Sequence, residues 1–147
     1  MEYDSWNYRL IFMQKTISIV VAIFNRKDEL FELLNSLIAQ TDKNFEVIIV
    51  DDGSSVDLLP TVETFKEMLE IQYFKKTNSG PGLSRNYGAR RAKNDWLVFV
   101  DSDVIVEKDY IENIKKNLEN TDCAAFGGAD KAHKGFNLLQ KAISYSM

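Results

Sequence analysis

The feature that most constrains the fold is an alternation between two hydrophobic periods along the chain. Apolar runs of strand length occur at 17–24, 45–50, 71–74, 96–100 and 124–126. Runs of this kind are typical of strands that are covered on both faces. The intervening segments have helical spacing, which predicts βαβ units and a mostly parallel sheet with helices on both faces.

The predicted helices follow from apolar stripes and from their start signals. The clearest stripe comprises Leu30, Leu33, Leu34, Leu37 and Ile38. We expect Asn25 to cap this helix and Ser79 to cap a later one, because short polar side chains favour the residue before a helix. The later helices are predicted at about 60–70, 81–92 and 108–118.

Length and composition indicate a single soluble domain. The chain has 147 residues, of which 45% are hydrophobic, and a net charge of −4, which argues against a nucleic-acid partner. No apolar run reaches the roughly 20 residues of a membrane span, and the one cysteine, Cys123, is expected in the core. We predict a cytoplasmic protein, with a place at the inner face of the plasma membrane left open.

Two aspartates end the fourth predicted strand. Asp101 and Asp103 are two positions apart, and since side chains alternate along a strand, both carboxylates are expected to point the same way. Hard cations such as Mg²⁺ and Mn²⁺ bind carboxylates together with substrate phosphates. The pair therefore predicts a metal site, and the alternative is a solvated turn.

Two further polar clusters lie at predicted strand or helix ends. Asp51 and Asp52 follow an apolar strand and could accept hydrogen bonds from a nucleoside, with an ordinary Asp-Gly turn as the alternative. Gly80 precedes a helix whose free N–H groups would favour phosphate, and Arg85 lies about one turn further on. The alternative there is a capped helix with Arg85 in solvent. We expect the strand-end clusters Phe24-Asn25, Asp51-Asp52 and Asp101-Asp103 to converge on one edge, because ligands bind at the carboxyl ends of parallel strands.

Four segments in register give the chain a resemblance to a known family. Their order and spacing, over about residues 16–128, are similar to the successive motifs of family 2 glycosyltransferases. The segments are 20–26, 48–54, 78–88 and 97–103. The resemblance implies a Rossmann-like three-layer α/β sandwich of the GT-A type. It also implies inverting transfer of a sugar from a nucleotide-diphosphate sugar to a glycan or lipid-linked acceptor, in bacterial cell-envelope or polysaccharide synthesis.

The resemblance also implies which positions bind the nucleotide. Phe24 and Asn25 would line its pocket, Asp51 and Asp52 would bind the base or ribose, and Arg85 would contact it from beneath. UDP is the expected nucleotide, with GDP and dTDP left open.

The remaining implied positions surround the metal. Asp101 would contact the ribose or the metal, and Asp103 would hold Mg²⁺ or Mn²⁺ on the diphosphate. The other expected nucleotide-binding residues are Ala22, where many family members have proline, Gly80 and Ser102.

The resemblance further implies a second half that supplies the acceptor pocket and a carboxylate base. Asp130 lies too close to the fifth predicted strand to be that base, and His133 is expected in a solvated loop. We therefore expect the base beyond Met147, and a domain at 16–147 that is truncated after its donor-binding half and transfers sugar poorly.

Both ends of the chain carry apolar residues that need a partner. Residues 1–15 form an apolar N-terminal arm, and the helix-like run at 136–147 has nothing following to cover it. A homo-oligomer formed through either segment is therefore an open alternative. A catalytically incomplete nucleotide-binding or oligomerisation module of the same fold is the second functional hypothesis.

Two other classes fit less well. A receiver domain needs acids after its first strand, which instead ends in Phe24 and Asn25. A nucleotidyltransferase usually has a glycine-rich loop there, and the segment Asn25-Arg26-Lys27 has no glycine.

Overall fold

The computed structural model of the chain describes residues 16–127, which form four strands and four helices. The strands are β1 (Ile17–Ile23), β2 (Phe45–Asp51), β3 (Ile71–Lys75) and β4 (Trp96–Phe99). The helices are α1 (Lys27–Ile38), α2 (Leu59–Phe65), α3 (Pro81–Ala89) and α4 (Tyr110–Asn120). The predictions for residues 1–15, Asp130, His133 and 136–147 lie outside the described residues.

The four strands form one parallel sheet in the order β3-β2-β1-β4. The chain winds outward from β1 to β3 and then crosses to β4 on the other side of β1. The boundary between β1 and β4 is therefore the topological switch point of the sheet, the place where open α/β sheets bind their ligands.

Helices cover both faces of the sheet, which confirms the three-layer α/β prediction. The larger core joins one face of the strands to α1, α2 and α4, and it includes the predicted stripe Leu30, Leu33, Leu34 and Leu37. The smaller core joins Val20, Ile48 and Val50 on the other face to Tyr87 of α3 and to Phe74.

Gly88 lets α3 lie close against the sheet. A Cβ built at this position would stand 2.5 Å from Val20 Cγ1 and 3.2 Å from Val50 Cγ2. Any larger residue would therefore push the helix away from β1 and β2, because a packed interior has no room for an added methyl group.

Four local predictions are wrong. Residues 124–126 form no strand: they are exposed and pair with no other strand of the described chain, and a short apolar run without a partner does not make a ladder. Cys123 is half-buried rather than in the core. Asn25 and Ser79 cap no helix, because Arg26 and Gly80 occupy the N-cap positions of α1 and α3.

Among residues 16–127, no helix is both long and apolar enough to cross a membrane.

Candidate functional site

The loops that follow β1, β2 and β4 meet at the carboxyl edge of the sheet, together with the start of α3. They are joined by hydrogen bonds between side chains and backbone groups of different loops, described below. Because this edge contains the switch between β1 and β4, it is where a ligand of an open α/β sheet is expected.

Asn25 connects the loop after β1 to the loop after β2. Its Oδ1 accepts hydrogen bonds from Ser55 N at 2.8 Å and from Ser55 Oγ at 3.0 Å, and its backbone N donates to Ser54 Oγ at 2.9 Å. Its φ of 56° lies in the left-handed region, which asparagine tolerates better than most residues. Asn25 therefore shapes the loop rather than capping α1.

Asp51 is fully buried at the end of β2. Its carboxylate accepts hydrogen bonds from Ser54 N and from Tyr73 Oη, each at 2.7 Å, and Lys75 Nζ lies 3.6 Å away. Burial raises the pKa of Asp51, but the bonds from Ser54 and Tyr73 and the charge of Lys75 outweigh it, so the pKa is lowered. Burial and the neighbouring Asp51 carboxylate raise the pKa of Tyr73.

Asp52 ties the loop after β2 to the start of α3. Its carboxylate accepts hydrogen bonds from Ser79 N at 2.9 Å and Gly80 N at 2.8 Å, and it forms an ion pair with Lys76. Burial raises the pKa of Asp52, but the bonds from Lys76, Ser79, Ser84 and Gly80 prevail and lower it to about 2.

The contacts of Asp52 involve two N–H groups that directly precede α3. The N–H groups of Ser79 and Gly80 donate to the Asp52 carboxylate. These two groups are therefore engaged within the protein rather than free.

Asp101 and Asp103 are exposed, and each carboxylate is paired with an arginine from another part of the chain. Arg85 Nη2 donates to Asp101 Oδ1 at 2.6 Å, and Arg26 Nη1 donates to Asp103 Oδ2 at 3.2 Å. The second pair bridges the loops that follow β1 and β4, the two strands at the switch point.

The two aspartates lie in a turn rather than on a strand, because β4 ends at Phe99. The prediction that both carboxylates point the same way assumed that they lie on a strand, and that assumption is wrong. Burial nevertheless alternates along these three residues, because Ser102 is buried and the aspartates on either side of it are exposed. The intervening serine contributes to packing, which leaves the acids on either side open to solvent.

The oxygen ligands that this turn offers suit one kind of metal site. Within residues 16–127 no group of three or more His, Cys, Asp or Glu side chains is arranged to hold an ion. Asp101 and Asp103 offer exposed carboxylate oxygens at an open edge. Such a set suits a hard divalent cation that takes its other ligands from phosphate and water.

Three other predicted residues lie at the same edge. Phe24 follows β1 with 48% of its surface exposed, so its ring is available to a ligand. Ala22 is half-buried within β1, and Gly80 has a φ of 91° that favours glycine, with open space where a Cβ would stand.

Sequence reasoning missed Arg26, Lys76 and Tyr73. Arg26 contacts Asp103, Lys76 contacts Asp52, and Tyr73 contacts Asp51. The sequence positions of Arg26 and Lys76 could have indicated their role. Arg26 follows β1 and Lys76 follows β3, so both lie at the edge where the acids were expected. Tyr73 lies within a strand, and nothing in the sequence distinguishes it from a packing residue.

A cavity of about 160 Å³ lies at the opposite, amino edge of the sheet, lined in part by Phe45, Glu46 and Asn94. Glu46 is buried there and accepts hydrogen bonds from Ser18 Oγ at 2.6 Å and Lys93 N at 2.7 Å. These bonds hold the starts of β1, β2 and β4 together. We therefore assign this edge a structural role and place the candidate site at the carboxyl edge.

The profile of the family described as "Glycosyl transferase family 2" matches residues 18–145. The chain belongs to this family. The match covers the sheet from the second residue of β1 onward and the loops that carry the aspartates, so the resemblance inferred from the four segments is confirmed.

Relatives of this family-2 chain include other glycosyltransferases. A glycosyltransferase of Haemophilus influenzae is 42% identical over 131 residues, 86% of this chain and 44% of that protein. The poly(ribitol-phosphate) beta-N-acetylglucosaminyltransferase TarS of Staphylococcus aureus is 37% identical over 127 residues, 84% of this chain and 20% of TarS. The chain thus spans less than half the length of each of these relatives.

Solved structures of S. aureus TarS share the fold of this family-2 chain. The complex of TarS 1–349 with UDP-GlcNAc has a TM-score of 0.68 at 33% identity, covering 71% of this chain and 31% of that one. The complex of the same fragment with UDP gives the same TM-score at 34% identity. The GT-A type of α/β fold is therefore confirmed by solved structures.

Proposed function

We propose that this chain binds the donor of an inverting glycosyltransferase, a nucleotide-diphosphate sugar with UDP as its nucleotide. The acceptor would be a glycan or a lipid-linked saccharide in the synthesis of cell-envelope polysaccharide. The observation that carries the proposal is the convergence of Asp101, Asp103, Arg85 and Arg26 at the switch point of a family-2 fold. The complexes of TarS with UDP and UDP-GlcNAc support the choice of donor.

The nucleoside would lie against the loops after β1 and β2. Phe24 offers an exposed ring for stacking on the base, beside Ala22. Asp51 and Asp52 form the floor of this part of the site, where their carboxylates hold Ser54 and Gly80 in place. Either carboxylate would bind a base or ribose group by exchanging one of these internal bonds.

The diphosphate would lie nearer β4. Asp103 and Asp101, with Ser102 packed between them, would hold Mg²⁺ or Mn²⁺, and Arg85 would contact the nucleotide from the middle of α3. A divalent ion held there would supply positive charge to neutralise the leaving diphosphate. The carboxylate base for the acceptor hydroxyl is proposed to lie outside the described residues.

Titration calorimetry of the chain with UDP, GDP and dTDP, with and without Mn²⁺, tests the proposal. We expect UDP to bind most tightly, and to bind at least about tenfold more tightly with the metal, since the metal supplies a charge-assisted contact. Failure of all three nucleotides to bind in the presence of Mn²⁺ would contradict the proposal. That result would instead favour the alternative, a catalytically incomplete module of the same fold.

A further inference from the structure

We propose that Arg26 is a further donor-binding residue, which holds Asp103 while no metal is bound and turns to the diphosphate once an ion occupies that carboxylate. The inference rests on the proposed function, because it requires a diphosphate and a divalent ion at this edge. It adds a role for Arg26, which follows β1 and is not among the residues predicted from the sequence to bind the nucleotide or the metal.

The ion pair between Arg26 and Asp103 is weak enough for Arg26 to change partners. Arg26 Nη1 lies 3.2 Å from Asp103 Oδ2 and 3.5 Å from Glu29 Oε1. The side chains of Arg26 and Asp103 are 49% and 52% exposed. Ion pairs in contact with this much water contribute little free energy, so the guanidinium can leave Asp103 at small cost.

The charges that arrive with the donor favour this exchange. An ion on Asp103 would repel the guanidinium, and the diphosphate that accompanies the ion would present anionic oxygens at the same edge of the sheet. A guanidinium is planar and can donate two parallel hydrogen bonds to one phosphate. Arg26 would therefore move from the Asp103 carboxylate to the phosphate. Asp103 would then be paired with the ion, and the phosphate with Arg26.

The backbone of Arg26 is fixed, so that only its side chain needs to move. Its carbonyl oxygen accepts a hydrogen bond from Leu30 N at 3.1 Å, at the start of α1, and the preceding residue Asn25 is bound to Ser55. The start of a helix favours anions over cations. The charge of Arg26 therefore does not stabilise α1. Any favourable contribution of this residue comes from the groups that its side chain contacts.

Arg26→Gln tests the inference, with Lys27→Gln as the matched control. Lys27 is the next residue, is exposed, and loses the same charge in its variant. Binding of Mn²⁺ alone would be measured by electron paramagnetic resonance, and binding of UDP and of uridine in saturating Mn²⁺ by calorimetry. Circular dichroism melting would check that each variant is folded, and Arg26→Lys would show whether charge alone suffices.

The expected effects of Arg26→Gln have opposite signs. Affinity for Mn²⁺ alone should rise about twofold to fivefold, because Asp103 loses its competing partner. Affinity for UDP with Mn²⁺ should fall about tenfold, because a charged hydrogen bond to the phosphate is lost. Uridine binding should not change, Arg26→Lys should recover part of the UDP affinity, and Lys27→Gln should resemble the original chain.

Three results would overturn the role of Arg26 while leaving the proposed function intact. These are unchanged UDP affinity in Arg26→Gln, a decrease in Mn²⁺ affinity alongside UDP affinity, or an equal loss of uridine binding. If the unaltered chain itself bound no UDP in Mn²⁺, the proposed function would fail and the inference with it.

Discussion

At the scale of single residues, the four aspartates of the site divide into a buried pair and an exposed pair. Asp51 and Asp52 are almost fully buried, and their carboxylates are hydrogen-bonded within the protein. Asp101 and Asp103 are exposed, with one arginine partner each. The buried pair should therefore contribute more to stability, and the exposed pair is the one open to a metal ion and a diphosphate.

Asp52→Asn should lower the free energy of unfolding by about 1–3 kcal/mol, because it leaves Lys76 without its ionised partner and weakens the bonds to Ser79 and Gly80. Urea denaturation at pH 7 measures the loss. Asp103→Asn is the control and should change the free energy of unfolding by no more than about 0.5 kcal/mol, since its ion pair is exposed. Equal losses in the two variants would contradict this division of roles.

The pKa of Asp52 predicts where acid weakens the protein. The pKa is lowered to about 2 in the folded chain, so Asp52 stabilises the fold at pH values above 3.8, its ordinary pKa. That contribution should be lost as the pH falls from about 4 to about 2. Melting temperatures measured across this range should fall more steeply for the original chain than for Asp52→Asn. Parallel curves would show that Asp52 does not contribute in this way.

At the scale of elements, the close packing of α3 on the sheet depends on Gly88. Gly88→Ala places a methyl group 2.5 Å from Val20 Cγ1, and we expect it to destabilise the chain by about 1–3 kcal/mol through overpacking. Gly82→Ala is the control within the same helix, because a Cβ there meets nothing within 4 Å. Thermal melting measures both, and a Gly88→Ala variant as stable as Gly82→Ala would contradict the packing argument.

The turn between β1 and α1 depends on the conformation of Asn25. Asn25→Gly loses the bonds to Ser55 but keeps access to a φ of 56°, whereas Asn25→Ala loses both. Alanine should therefore be less stable than glycine here by about 1 kcal/mol, the reverse of the usual order of these residues. Denaturation of the two variants measures the difference. Greater stability of the alanine variant would contradict the left-handed geometry.

Elements were predictable from sequence where hydrophobic period and burial coincide. The apolar runs that became β1 and β2 are buried along almost their whole length, and the stripe of α1 faces the core. Residues 124–126 have the composition of a strand but lack a partner in the described chain, which composition does not reveal. The aspartates were placed at the correct edge because parallel strands end together.

The hydrogen bonds of the site were less predictable than its position. Asn25 and Ser79 have the composition of helix caps, yet Asn25 Oδ1 binds Ser55, and Ser79 N donates to Asp52. These contacts join residues about thirty positions apart and depend on how loops meet in three dimensions, which local sequence patterns do not specify.

At the scale of the whole molecule, donor binding should stabilise the folded chain. A ligand that binds only the folded state, at about 100 times its Kd, adds about 2.7 kcal/mol. UDP with Mn²⁺ should therefore raise the melting temperature by several degrees, and excess EDTA should reverse the shift. UDP and Mn²⁺ should each have a much smaller effect alone. An equal shift by UDP in EDTA would contradict a metal-dependent site.

The central claim is that carboxylates at the β4 end hold the donor diphosphate through a divalent ion. Calorimetry of UDP binding in saturating Mn²⁺, on Asp103→Ala and Asp95→Ala, tests it most directly. Asp95 and Asp103 flank opposite ends of β4, and both are exposed. We predict that Asp103→Ala weakens UDP binding by about tenfold or more, while Asp95→Ala leaves it unchanged. Unchanged affinity in Asp103→Ala, or equal losses in both variants, would contradict the claim.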